Sequence, residues 1–245
     1  MHATTTARPL PASGRGRRFF ALYAAVLLAC VIAGFARTLY LRPWFDPVPL
    51  SPAMLAHGIA VTGWFVLFLL QTLLVRQGRL ALHRQLGVLA LAVALATLVT
   101  SCTASLGVVE AFRARGIDVD ARRGLISLIV WGNLGALLAF AVFVVRGVLA
   151  RAQADTHRRM MLLASIALIS PALLRIAELP AFAGVDPVPA TLLGLLAMLA
   201  YDIAVRRRPH TATMWGAPFF LFAHLGSAFL LPGTALDRWM LARIW

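Results

Sequence analysis

The sequence predicts an all-α fold: a polytopic transmembrane bundle of about seven helices with its N-terminus in the cytoplasm. Three observations carry this. Of 245 residues, 61% are hydrophobic and only 13% charged, too few polar groups to cover a globule in water. The apolar residues fall in blocks near the ~20 residues that a helix needs to cross the hydrocarbon core. Short segments bearing arginine separate those blocks.

The blocks run 19–41, 52–75, 85–109, 124–146, 158–178, 189–205 and 214–231. Residues 1–18, rich in Thr, Pro, Gly and Arg, read as a disordered cytoplasmic tail. Arg15, Arg17 and Arg18 before Phe19 resemble a signal-peptide start, and Arg17-Arg18-Phe19-Phe20 is a partial twin-arginine pattern. Leu27-Leu28-Ala29-Cys30 is a poor lipoprotein box. The block is long enough to span and further spans follow, so it is expected to be retained.

Asp46-Pro47-Val48-Pro49 leads into the second span, and Asp186-Pro187-Val188-Pro189 into the sixth. Proline stiffens a turn and suits a helix start, where no N–H is needed. A second echo joins Leu82-His83-Arg84-Gln85-Leu86, opening the third span, to Thr156-His157-Arg158-Arg159-Met160, opening the fifth. Such echoes suggest repeated hairpins.

The third span carries Thr97, Thr100, Ser101, Cys102, Thr103 and Ser105, and the fourth Trp131, Gly132, Asn133 and Gly135. Small and hydroxyl residues let membrane helices approach and bond to one another. The sixth and seventh blocks are the shortest. Beyond them, residues 232–245 form an interfacial segment: Thr234 and Asp237 have N-cap spacing, and Trp239, Met240, Ile244 and Trp245 supply an apolar face.

The net charge of +14 comes from 23 basic residues, every one an arginine. They lie in loops between apolar blocks, which suits topology and anionic lipid headgroups rather than nucleic acid. Flanks on the N-terminal side hold 14 of them and the opposite flanks 9, together with most acidic residues. The richer side is expected to be cytoplasmic, which fits a bacterial inner-membrane protein. Asp118 and Asp120 offset four arginines on the other side. Cys30 and Cys102 lie within apolar blocks without C-x-x-C spacing and read as inert thiols.

Ionisable groups at membrane depth are costly and mark candidate sites. His57 lies about 7–8 Å inside the outer end of the second span, and His224 about 10 Å inside that of the seventh. They meet at one level if those helices are neighbours. His83 and His157 form a second level, at the cytoplasmic ends of the third and fifth spans. A neutral imidazole has one unprotonated nitrogen, so a facing pair can give both axial bonds to a haem iron, or two ligands to copper. The alternative is a histidine that bonds a neighbouring helix or meets phosphate headgroups. Arg175 and Glu178, three residues apart, are expected to form a structural ion pair. Asp202 beside Arg206 to Arg208 reads as an ion pair at a span end, and His2 and His210 as solvated.

His57-x6-Trp64-x3-Phe68-x2-Gln71-x-x-Leu74, then Gly78-Arg79-x3-His83-Arg84-x-x-Gly87, forms one recognisable stretch. His157-Arg158-Arg159-Met160-Met161-Leu162, followed by Pro171 and Arg175, forms another. Across about residues 57–175 these resemble uncharacterised bacterial multi-pass membrane families. Those families are broadly similar to di-haem transmembrane cytochromes b and to a membrane assembly factor for haem–copper oxidases. The resemblance implies that His83 and His157 are one axial pair for haem b. It implies a second pair between the second and fourth spans. His57 fits the second, but the fourth has no histidine, so His224 on the seventh has to substitute.

The function classes left open are a haem- or copper-handling redox or oxidase-assembly protein, a non-catalytic membrane scaffold or accessory protein, and a small-molecule transporter. No Gly/Pro-broken helix pair stands out for transport. No nucleophile–base constellation or His-rich metal box points to a membrane enzyme, so no catalytic residue is assigned. The bilayer is the evident partner, and any membrane-protein partner is unspecified.

Overall fold

A computed structural model describes residues 14–46, 48–182 and 187–245 of the chain. Every regular element among them is helical. The first span is α1 (Gly14–Phe35), prolonged by a π turn, Ala36–Tyr40. After the short α2 (Arg42–Phe45) come α3 (Pro52–Arg76) and α4 (Leu80–Leu106), then the short α5 (Val108–Arg113) and α6 (Arg123–Leu149). The fifth span is two pieces, α7 (Ala154–Ala167) and α8 (Ser170–Ala177), bent by 43°. Next is α9 (Pro187–Arg206). The seventh span is α10 (Thr211–Leu221), a π turn (Phe222–Gly226) and α11 (Ser227–Leu230), and α12 (Ala235–Ile244) follows.

Six spans among the described residues are long and apolar enough to cross a membrane, and up to seven are with the bent α7–α8 pair counted as one. The chain is thus a polytopic helical membrane bundle. Seven spans alternate between two ends. The Arg-rich end carries the start of α1 and the 77–79, 150–153 and 207–210 loops, and the far end carries the other connections.

Local chemistry sets the boundaries. Ser51 Oγ accepts from the Met54 N–H, and Pro52 follows at the first helical position of α3. The other end of α3 closes with Gly78 at φ +76°, where the Gly78 and Arg79 N–H groups bond the Val75 and Leu74 carbonyls. Helices extend past the apolar blocks because backbone hydrogen bonds do not stop where charges begin. Thus α4 starts at Leu80 rather than 85, α7 at Ala154 rather than 158, and α1 at Gly14, inside the segment expected to be a tail. Residues 1–13 of that tail, Pro47 and Asp186 lie outside the described residues. In the first Asp-Pro echo, Asp46 Oδ1 accepts from the Val48 N–H, as a turn aspartate does.

Two spans expected to be continuous are interrupted. Pro171 has no N–H for the Ala167 carbonyl, and α7 ends at that residue. Pro218 likewise leaves the Met214 carbonyl without its usual donor, one turn before the π segment. A Gly/Pro-broken pair therefore exists, contrary to the sequence expectation.

Helix α6 is central. Phe140 and Phe143 are buried against Trp64 and Phe65 of α3, Met160 and Leu163 of α7, and Phe220 of α10. Between membrane helices, shape and small residues do more than apolar burial. A Cβ on Gly135 would stand 1.8 Å from the Ala223 carbonyl oxygen, so α6 and the π turn meet backbone to backbone. Along α4, by contrast, Val88, Leu91, Leu95 and Val99 face outward.

The C-terminal helix begins as expected, with Thr234 Oγ1 accepting from the Asp237 N–H. Its packed side differs in part. Met240, Ile244 and Trp245 lie against Val109, Val119, Ile126 and Val130, but Trp239 is exposed.

Candidate functional site

The Arg-rich end gathers the second histidine level. His83, in the first turn of α4, and His157, in the first turn of α7, have ring centroids 6.2 Å apart with planes at 83°. Both are half-buried. His157 Nδ1 lies 2.8 Å from the Gly147 carbonyl oxygen on α6. A carbonyl only accepts, so Nδ1 carries a proton, and in the neutral imidazole Nε2 then has the lone pair. That is the carbonyl-to-imidazole support that orients metal-binding histidines. Nδ1 of His83 is buried without a hydrogen-bond partner.

Two features surround this pair. Gly87, one helical turn beyond His83, has open space where a Cβ would stand. On the other side, the Met161 methyl carbon packs where a Cβ on Gly147 would stand. Among the described residues no group of three or more His, Cys, Asp or Glu is placed to hold a metal ion.

Beside the pair lies a polar knot. Arg159 and Asp202 are both sealed from the surface. The Arg159 Nε and Nη2 groups donate to Asp202 Oδ1, and Nη1 donates to the Asp155 carbonyl. The other Asp202 oxygen accepts from Thr213 Oγ1 at 2.5 Å and from the His210 N–H at 3.1 Å. Asp155 holds Arg158 at 2.5 Å and Arg206 at 2.6 Å. Helices α7, α9 and α10 are thereby tied together. Asp202 was expected to pair with Arg206 to Arg208, but Arg159 takes that place and Arg206 turns to Asp155.

His210 was expected in solvent. Instead its Nδ1 accepts from the Ala212 N–H and caps α10. Burial pushes its pKa down, and the Arg159 and Arg206 charges push the same way, against Asp202 and Asp155. The neutral form that can accept the bond is thus favoured.

At the far end His57 and His224 have separate protein partners. His57 Nδ1 lies 3.3 Å from Ser101 Oγ on α4, and α3 packs against α1 and α4. His224, in the π turn, packs against α6. Its Nδ1 donates to the Gly132 carbonyl at 2.9 Å, its Nε2 faces Ser170 Oγ at 3.4 Å, and the Phe220 ring stacks on it. His224 thus links the two broken spans to each other and to α6. Arg175 does not close on Glu178. Its guanidinium donates to the Pro171 carbonyl and lies over the Phe35 ring at 4.6 Å.

The hydroxyls of the third span behave in part as expected. Thr97 Oγ1 donates to the Ala60 carbonyl and Ser101 meets His57, joining α4 to α3. Thr100 and Thr103 bond within their own helix.

Sequence reasoning assigned no site role to Asp237. It is buried and accepts from Ser127 Oγ at 2.6 Å, Gly233 N–H at 2.8 Å and Trp131 Nε1 at 2.9 Å. Burial raises its pKa, but these donors and the Arg123 charge outweigh that and hold it below the ordinary carboxylate range. The visible signal was the pairing of an N-cap with a polar Trp131. Comparison with family models, curated proteins and solved structures finds no match to this chain.

Proposed function

We propose that the chain is a haem- or copper-handling membrane protein, serving electron transfer or the assembly of a haem–copper oxidase. His83 and His157 supply the two imidazole ligands. The observation that carries this is their 6.2 Å juxtaposition, with the His157 tautomer fixed by Gly147 and the His83 Nδ1 left without a partner. The open space beside Gly87 would admit a bulky group next to His83, and Arg84 on the same helix turn would supply a positive charge for anionic substituents. Two imidazoles alone also suit copper(I). When bound, either group supplies one-electron chemistry at the metal. The protein's own part is to hold two imidazoles at fixed spacing in a half-buried site.

The resemblance to di-haem cytochromes implies a second pair, and His224 does not fit that part. Its ring nitrogens already have protein partners.

A reduced-minus-oxidised visible spectrum of the detergent-purified protein distinguishes the two groups. Haem b gives sharp bands in the reduced form, lost in His83→Ala and His157→Ala. Copper(I) gives no such bands, and the protein then takes up copper(I) in a manner that both substitutions abolish. A protein that binds neither fails this proposal.

One observation favours a second reading, a non-catalytic scaffold in the inner membrane. The Asp202, Asp237 and His224 groups are all satisfied within the bundle, as purely structural polar groups are.

A further inference from the structure

A cavity of about 470 Å³ opens at the far end of the bundle, between the start of α6, the 232–233 turn and α12. The volume falls within the ordinary range for small-molecule pockets. Four polar side chains line it, Arg123 and Ser127 of α6 with Asp237 and Arg238 of α12, and the rest of the wall is glycine or apolar. Two of the four are satisfied by the protein. Ser127 donates to Asp237, which also accepts from Trp131 and Gly233.

The arginines are not. Both are exposed. The Arg123 guanidinium lies over the Trp245 ring at 4.6 Å and makes no hydrogen bond among the described residues. Arg238 uses one N–H on the Gly233 carbonyl at 2.7 Å. A guanidinium has five N–H donors in a planar fork, so most of both forks stays free for a ligand.

Charge and level narrow what that ligand is. Two guanidinium groups against one carboxylate leave the cavity with a single net positive charge. A phosphodiester carries one negative charge, and its oxygens match the arginine fork. An anion also removes the repulsion of two like charges on one wall. Trp239, the next residue after Arg238, is exposed on α12, and an exposed tryptophan on a membrane protein sits at headgroup level.

We infer that this cavity binds a phosphate group held by Arg123 and Arg238, its source being a phospholipid headgroup of the leaflet at that end. The site lies at the opposite end from the histidine pair and stands whether or not that pair holds a metal.

Native mass spectrometry of the full-length protein in detergent tests this, with dioctanoyl phosphatidylglycerol, dioctanoylglycerol and inorganic phosphate as probes. Wild type should bind one phosphatidylglycerol more tightly than dioctanoylglycerol, which lacks the phosphate. Arg123→Gln and Arg238→Gln should each weaken that binding about three- to tenfold. Arg243→Gln is the control. Arg243 is exposed on the same helix, also bonds a backbone carbonyl, and carries the same charge, so its loss should leave the affinity unchanged. All three positions are exposed, so each variant should keep the wild-type thermal midpoint. Displacement of the lipid by inorganic phosphate, dependent on both arginines, would support the site and make a soluble phosphate compound its source. Equal binding of dioctanoylglycerol, or no loss in Arg123→Gln and Arg238→Gln, would overturn the inference. An equal loss in Arg243→Gln would overturn it too, by showing diffuse attraction to a basic surface.

Discussion

Arg159 on α7 and Asp202 on α9, forty-three residues apart, form an ion pair with no solvent exposure on either side chain. A charge left alone in such a place costs far more than the pair itself contributes. Asp202→Ala should therefore destabilise the bundle by about 3–5 kcal/mol. The double substitution Arg159→Met/Asp202→Leu should recover much of that loss, since neither charge is then stranded. Unfolding in mixed detergent micelles measures both, and a double variant no better than the single one contradicts this account.

His210 predicts a pH dependence. Its pKa is lowered in the folded state, by burial first and by Arg159 and Arg206 next. The unfolded chain therefore binds the proton more readily. The stabilisation is complete above the unfolded value of about 6.5 and is lost as pH falls below it. His210→Asn keeps a capping side chain and removes the titration. The difference in thermal midpoint between wild type and His210→Asn should grow in favour of the variant as pH drops from neutrality. A difference independent of pH refutes the linkage.

The far-end network is anchored by Asp237. Asp237→Ala leaves Ser127 and Trp131 with buried donors and no acceptor, at about 1–3 kcal/mol. The damage should be local. Hydrogen exchange should accelerate in α12 and at the start of α6, while α7 and α9 remain protected. Uniform acceleration throughout the bundle would show that this end is not an independent unit.

His224 separates stapling from metal binding. His224→Ala removes the bonds to Gly132 and Ser170 that join the seventh span to the fourth and fifth. It should lower stability by about 1–3 kcal/mol and leave any bound haem or copper in place. Loss of the metal from a protein that remains folded would restore His224 as a ligand.

The fold was legible because its causes are local. Each span is a run of apolar residues, and the cap of α12 could be seen in Thr234 and Asp237 alone. The level of His83 and His157 was legible too, since both sit one turn inside helices that start at the same end. The far-end level failed for a reason that sequence does not carry. Depth along a helix is readable, but which helices are neighbours is not: α3 packs against α1 and α4, and the π turn against α6. Asp202 failed similarly: Arg206 is close in sequence, yet Arg159 arrives from another span. The breaks at Pro171 and Pro218 have a visible signal in the sequence, a proline inside an apolar block.

Elemental analysis for iron and copper bears most directly on the central claim. It compares wild type, His83→Ala, His157→Ala and His224→Ala, each purified from cells replete in haem and copper. The account predicts a redox metal equimolar with the wild-type chain, lost from the His83 and His157 variants and retained in His224→Ala. A folded wild-type protein free of both metals, or metal unaffected by His83→Ala and His157→Ala, would contradict it and leave the scaffold reading in its place.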